Sequence, residues 1–177
     1  AIVIQNALNA NGYDAVLVHQ NCLDESNSTY YKDVNAWERY DGIVVAGRLF
    51  ESWPTIDLVR SGRPIILTEM GYVDELALGV QPLEIKRSQE FKLMDRTHPI
   101  VEGSELGSFL LSAPLEYCSV DTGKHHVDVL VRDRDDNPVL VAHKTRELVY
   151  FGWFGIADAT EDSILFKWLV NAANWAF

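Results

Sequence analysis

The chain has almost no cysteine, no long apolar run and no excess of positive charge, and each shortage removes a class of function. Two cysteines, Cys22 and Cys118, stand far apart in 177 residues, and neither belongs to a CxxC pair. A structural zinc site is therefore not expected. One disulfide and two partly buried thiols are both compatible with that spacing. The compartment stays open, and an extracellular setting or a place in a particle fits as well as any other. No apolar run approaches the roughly 18–20 residues of a membrane span, so membrane insertion is not expected. Lys and Arg number 15 against 26 Asp and Glu, a net charge of −11. Phosphate binding needs basic residues clustered on one face, and none cluster here, so nucleic acid is not an expected partner. The acidic surface reads as a means of staying in solution.

What is present suits one soluble α/β domain spanning residues 1–177, since 47% of the residues are hydrophobic and the length allows a full core. Val3, Ile4, Ala7, Leu8 and Asn11 recur at helical spacing, with Gly12 as a C-cap. "YDAVLVHQ" then reads as a buried strand over residues 14–19. Trp37 to Tyr40 close a polar stretch, and "DGIVVAG" (41–47) reads as a second buried strand ending in Gly47. A short helix is expected over 54–61, with Pro54 near its start. "PIILT" (64–68) is a third strand, and "VDELALG" (73–79) begins another helix. Strands separated by short helices predict a mostly parallel sheet with helices on both faces.

The second half changes character. "SFLLS", "LEYCSV", "VDVLVRD", "PVLVAHK" and "LVYFGW" are strand-like runs split by polar segments, and Asp135-Asp136-Asn137-Pro138 is a hairpin signal. An antiparallel extension of the parallel sheet is expected. The last helix is the clearest: Thr160 can cap it, and Ile164, Leu165, Trp168, Leu169, Ala172, Ala173 and Ala176 form one face. At the front the chain starts inside a helix, with Ala1 rather than Met. Either "AIVI" (1–4) is itself the first strand, or that strand is supplied from upstream or by another polypeptide. A parallel crossover needs roughly a dozen residues between strands, which favours the second and a domain that belongs to a longer polypeptide.

Candidate chemistry gathers around "GRPIILTEMGYVDE" (62–75), a buried strand running into a turn before a helix. Glu69 stands at that turn, where a raised carboxyl pKa would suit acid or base work, with His98 as a candidate partner. The plainer reading makes Glu69 a helix cap and gives His98 a turn role before Pro99. Ligands of open α/β sheets bind beyond the carboxyl ends of strands. Gly47, Glu69, Gly71, Trp53 and Trp153 are therefore the candidate ligand-binding positions, the two tryptophans being a conceivable carbohydrate platform. His125-His126, Asp121, Asp133, Asp135 and Asp136 invite a metal reading. Adjacent histidines in a strand point to opposite faces, and "DRDDN" lacks the Gly and Glu of a calcium loop. No metal and no cofactor are expected.

"ALNANGYDAVLV" (7–18), "THPIVEG" (97–103) and the closing strand, loop and helix "LVYFGWFGIADATEDSILFKWLVNAANWAF" (148–177) together resemble the class I glutamine amidotransferase-like superfamily. The likeness is to its divergent branches, trehalose-utilisation-like or extracellular. The resemblance implies a flavodoxin-like sheet with a nucleophile elbow after residue 68. Working members carry a Gly-x-Cys-x-Gly elbow and a late His and Glu. This chain has Glu69 or Met70 in place of that Cys, and "FGWFG" (151–155) in place of the late pair. Without a thiolate, glutamine hydrolysis is not expected. The expected function is a non-catalytic binding or assembly module of a larger protein or particle. A hydrolase of a carbohydrate-related substrate using Glu69 is the alternative, and a structural component of a virus particle or extracellular filament is a special case of the first.

Overall fold

The computed structural model describes residues 2–17, 38–46, 61–68, 81–123, 126–143, 145–154, 156 and 163–177. Helix α1 (Ile2–Ala10) opens the chain, burying Ile4 and Leu8 one turn apart. It ends as the spacing predicts. Gly12 takes a φ of +92°, Tyr13 N–H donates to Leu8 O at 3.2 Å and Gly12 N–H to Asn9 O at 3.2 Å. That paired closure needs a residue free of Cβ strain at Gly12.

Three parallel strands follow: β1 (Ile43–Ala46), β2 (Ile65–Thr68) and, late in the chain, β7 (Leu148–Phe151). Strand β2 lies between the other two and is buried at every position, as a run of Ile-Ile-Leu requires. The antiparallel half contains β3 (Gln81–Leu93), β4 (Gly107–Asp121), β5 (Val127–Arg132) and β6 (Pro138–His143). All seven form one sheet in the order β1-β2-β7-β6-β5-β3-β4. Helix α2 (Ser163–Ala176) closes the chain and buries Leu165, Trp168, Leu169, Ala172, Ala173 and Ala176, most of the predicted face. Ile164 is half-buried beside them.

Several expectations need correction. Residues 14–17 form no strand: Ala15 N–H donates to Asn9 Oδ1 at 2.8 Å, and Gln5 Nε2 donates to Ala15 O at 2.7 Å. Side chains of α1 thus take the backbone groups a ladder would need, and Val16 and Leu17 stand 61% and 47% exposed. Strand β1 is half-buried, and among the described residues it ends the sheet and pairs only with β2. The sheet is mostly antiparallel, since only the β1–β2 and β2–β7 pairings run parallel. "SFLLS" and "LEYCSV" belong to one strand of 15 residues, and its partner β3 carried no clear signal. Both described helices pack into the same core cluster, and the expectation of helices on both faces also rests on segments outside the described residues. The helices expected over 54–61 and 73–79 lie outside the described residues.

The sheet also closes on itself locally. Beyond β7, Gly152 N–H donates to Val139 O at 2.9 Å while Gly152 O accepts from Cys118 N–H at 2.8 Å. Tyr117 bridges antiparallel to Trp153, and Phe154 N–H donates to Glu116 O at 2.8 Å. The segment 152–154 therefore joins β4 to β7, while β3, β5 and β6 complete the circuit. Inside sits an aromatic cluster, with Phe91 edge-on to Tyr117 at 5.1 Å and to Trp153 at 5.2 Å.

A Cβ at residue 152 would stand 2.3 Å from Cys118 O and 3.0 Å from Val139 O. Neither carbonyl can withdraw without breaking a ladder. Gly152→Ala is expected to cost about 3 kcal/mol in urea unfolding. Gly42→Ala should cost less, because the atoms nearest its methyl belong to the side-chain ring of Phe177 rather than to backbone. Equal midpoints for the two variants would show that the crossing at 152 is not tight.

Candidate functional site

Register sets Ala46 beside Thr68 and Thr68 beside Phe151, so the carboxyl ends of all three parallel strands finish abreast. Thr68 is buried, and its hydroxyl donates to Val45 O at 3.0 Å, tying the two strand ends together. This is the edge at which ligands of parallel sheets bind. Gly47 and Glu69 are the next residues in sequence, and with Trp53 and Gly71 they lie outside the described residues. The pairing of Glu69 with His98 lies there too.

Trp153 and His98 are described: Trp153 is buried, and His98 is half-buried. The Trp153 ring is fully buried against Phe91, Phe151 and Trp168. It belongs to the core, where it presents no platform to a sugar. His98 starts the short 3-10 turn Pro99–Val101, and its Nδ1 accepts from Ile100 N–H at 3.3 Å. Its ring lies 5.3 Å from that of Trp175. Asn171 Nδ2 donates to Ile100 O at 3.1 Å, which docks the same turn on α2. Proline fixes the backbone after His98 and leaves the next N–H to be capped. His98 fills that turn role.

The acidic residues of the β5–β6 hairpin are engaged in folding. Asp133, 2% exposed, accepts from Asp135 N–H at 2.9 Å, Asn137 N–H at 2.8 Å and the Tyr117 hydroxyl at 3.2 Å. Burial, then the Asp133 carboxylate, pushes the Tyr117 phenol far above its ordinary range, so it stays a donor. Asp135 pairs with Lys86 at 2.5 Å, and Asp136 lies 3.8 Å from Arg132. Asp121 accepts from Gly123 N–H at 2.8 Å. Among the described residues no three His, Cys, Asp or Glu side chains converge as a metal site. Alternation and turn chemistry could not have revealed the Tyr117–Asp133–Lys86 contacts, because β3 supplies the lysine and β3 was not legible.

A second concavity, of about 570 Å3, opens between the start of β4 and the start of α2. Ser104, Glu105, Ser108 and Lys167 rim it, and Phe109 and Trp168 form its floor. Trp168 Nε1 donates to Ser104 Oγ at 2.9 Å, which fastens one rim to the helix. Its walls come from segments distant in sequence, so no motif announces it.

No protein-family model matches the chain, and no curated protein matches it. Solved structures do. A protein described as ThuA-like from Bacteroides uniformis superposes with a TM-score of 0.61 at 13% identity, over 82% of this chain and 75% of that one. A GMP synthase-type protein from Thermoplasma acidophilum gives 0.64 at 13% identity, over 98% of this chain and 88% of that one. Both are glutamine amidotransferase-like folds, and this chain shares that fold. The likeness extends to fold alone. No described helix is long and apolar enough to cross a membrane.

Two measurements check these assignments. Burial lowers the His98 pKa, with Asp128 and Asp95 partly offsetting it, so below about pH 6.5 the unfolded chain binds the proton more readily. Stability is then fully present above that pH and falls as pH drops through it. His98→Asn, which can still cap, should flatten the dependence; an unchanged pH profile would remove the histidine from the account. Asp133→Ala strands the Tyr117 hydroxyl and two N–H groups, and is expected to cost about 3 kcal/mol in thermal unfolding. A loss within error of zero would mean that the hairpin loop holds itself.

Proposed function

We propose that the chain is an amidotransferase-like binding or assembly module, without the amidotransferase reaction, working within a larger protein or particle. A flavodoxin-like arrangement of its parallel half belongs to the same reading, supported by three parallel strands whose ends finish abreast. The observation that carries the proposal is where Cys118, the one thiol among the described residues, lies. Cys118 is fully buried in β4, with Sγ donating to Leu83 O at 3.2 Å, while the residue after Thr68 is a glutamate. A thiol so placed cannot meet a substrate at the ends of β1, β2 and β7, and thiolate chemistry needs access. The partners proposed are protein partners of an assembly, and a virus particle or an extracellular filament would be one such setting. Nucleic acid is not among them, given a net charge of −11.

One observation favours a second reading. Glu69 follows Thr68 directly at the ligand-binding edge, so a hydrolase of a carbohydrate-related substrate could use its carboxyl as acid or base. Trp53 would then supply the sugar contact that the buried Trp153 does not.

The two readings part on Glu69→Gln. Under the module reading the variant keeps its fold and partner binding, at a cost of about 1 kcal/mol or less. Under the hydrolase reading it loses roughly 100-fold or more of its activity on some glycoside or ester. The protein is expected to release no ammonia from glutamine and to leave a panel of glycosides and esters intact. Turnover by the wild type that Glu69→Gln abolishes would overturn the module reading. So would ammonia release that Cys22→Ser abolishes.

A further inference from the structure

Asn11-Gly12 is the one place in the chain where asparagine precedes glycine. The pair carries a chemistry of its own. A backbone nitrogen that follows asparagine can attack the side-chain carbonyl and close a five-membered ring, and glycine leaves that nitrogen unhindered because it has no Cβ. Here nothing stands within 4 Å of the place a Cβ at residue 12 would take. Both residues are exposed, just past the last turn of α1, where helices fray. The other asparagines among the described residues are worse placed. Asn6 and Asn9 lie within α1 and Asn171 and Asn174 within α2, so helical backbone holds the amide that follows each. Asn137 precedes Pro138, which has no N–H.

The helix end is held closed by weak contacts. Gly12 N–H donates to Asn9 O at 3.2 Å and Tyr13 N–H to Leu8 O at 3.2 Å, both at the long limit of an N–H···O bond. Asn11 Nδ2 donates to Ala7 O at 2.8 Å, but this bond is exposed to water. The Gly12 and Asn11 bonds must open for Gly12 N to reach Asn11 Cγ. Water replaces both partners as they open, so the opening costs little.

We infer that Asn11 deamidates in the folded protein, at a rate set by the opening of this helix end. The Gly12 nitrogen gives up its proton and bonds to Asn11 Cγ, the Cγ–Nδ2 bond breaks, and ammonia leaves with that proton. Water then opens the succinimide ring at either carbonyl, which gives aspartate at residue 11 or isoaspartate with an extra methylene in the backbone. Either product brings a negative charge to the negative end of α1, whose last turn holds no basic residue. Isoaspartate also lengthens the backbone between Leu8 and Tyr13, so the closure cannot re-form. Tyr13 is the link at stake. Its hydroxyl donates to Asn174 Oδ1 at 2.7 Å, and its ring meets that of Phe177 edge-on at 6.1 Å. Ageing therefore loosens α1 from α2, in one direction only.

Peptide mapping of the folded 177-residue chain after ageing at mildly alkaline pH tests this. Residue 11 is expected to gain one mass unit, with isoaspartate read out by enzymatic methylation, and the rate should rise with pH. Asn11→Gln should stop the conversion, since its ring would need six members. Asn9→Ala removes the Oδ1 that accepts from Ala15 N–H at 2.8 Å and should speed the conversion severalfold. Circular dichroism should show both variants folded. A folded chain that stays intact at residue 11, while the chain unfolded in urea converts, would overturn the inference. An Asn9→Ala variant that ages at the wild-type rate would remove helix opening as the step that sets the rate. Ammonia released in this way amounts to at most one equivalent per chain and needs no added glutamine. Neither failure therefore touches the module reading, which falls only to turnover dependent on Glu69 or Cys22.

Discussion

Two carbonyl oxygens, Cys118 O and Val139 O, close around Gly152, and most of the architecture depends on that crossing. There the chain leaves the parallel half and enters the antiparallel half without losing a hydrogen bond. Gly152 gives its N–H to β6 and its C=O to β4, and the Tyr150 hydroxyl takes the carbonyl of Cys118 at 2.9 Å. A side chain at 152 would push β4 away from the sheet. Trp153 would then lose its place against Phe91 and Trp168, and the cluster would open along with it. A single missing Cβ thus links strand pairing to core packing.

The crossing also separates the two ends of the molecule by role. Residues 152–154, which lie where working amidotransferases are expected to carry late catalytic residues, are spent here on closing the sheet. Trp153 contributes apolar burial, not a ligand surface. Strands β3 and β4 bury Phe91, Leu93 and Tyr117 in the core, while Leu83, Ile85 and Leu110 of the same strands, and Met94 just after β3, are exposed.

How much of this was legible in the sequence follows from how each element is stabilised. Strands β2, β6 and β7 are apolar at successive positions, and α2 repeats its apolar face at helical spacing, so local pattern and final burial agree. Strand β3 was missed because its register slips at Pro82/Ile85 and Ser88/Glu90, which breaks the alternation that marks a strand. The apolar run at 14–17 misled for the opposite reason: its pattern suits a strand, but Asn9 and Gln5 hold its backbone to α1. Strand β2 was readable from "PIILT", and the structure gives it as Ile65–Thr68, while Glu69 lies outside the described residues. The burial of Trp153 was not readable, because it depends on pairing with Tyr117, a partner remote in sequence.

The distribution of charge carries the last step. Asp133 binds two backbone N–H groups and a phenol, Asp135 holds Lys86, and Asp136 lies beside Arg132 in the left-handed region at φ +68°. These carboxylates shape one hairpin. Carboxylates left on the surface repel any acidic body that approaches, including another copy of the chain.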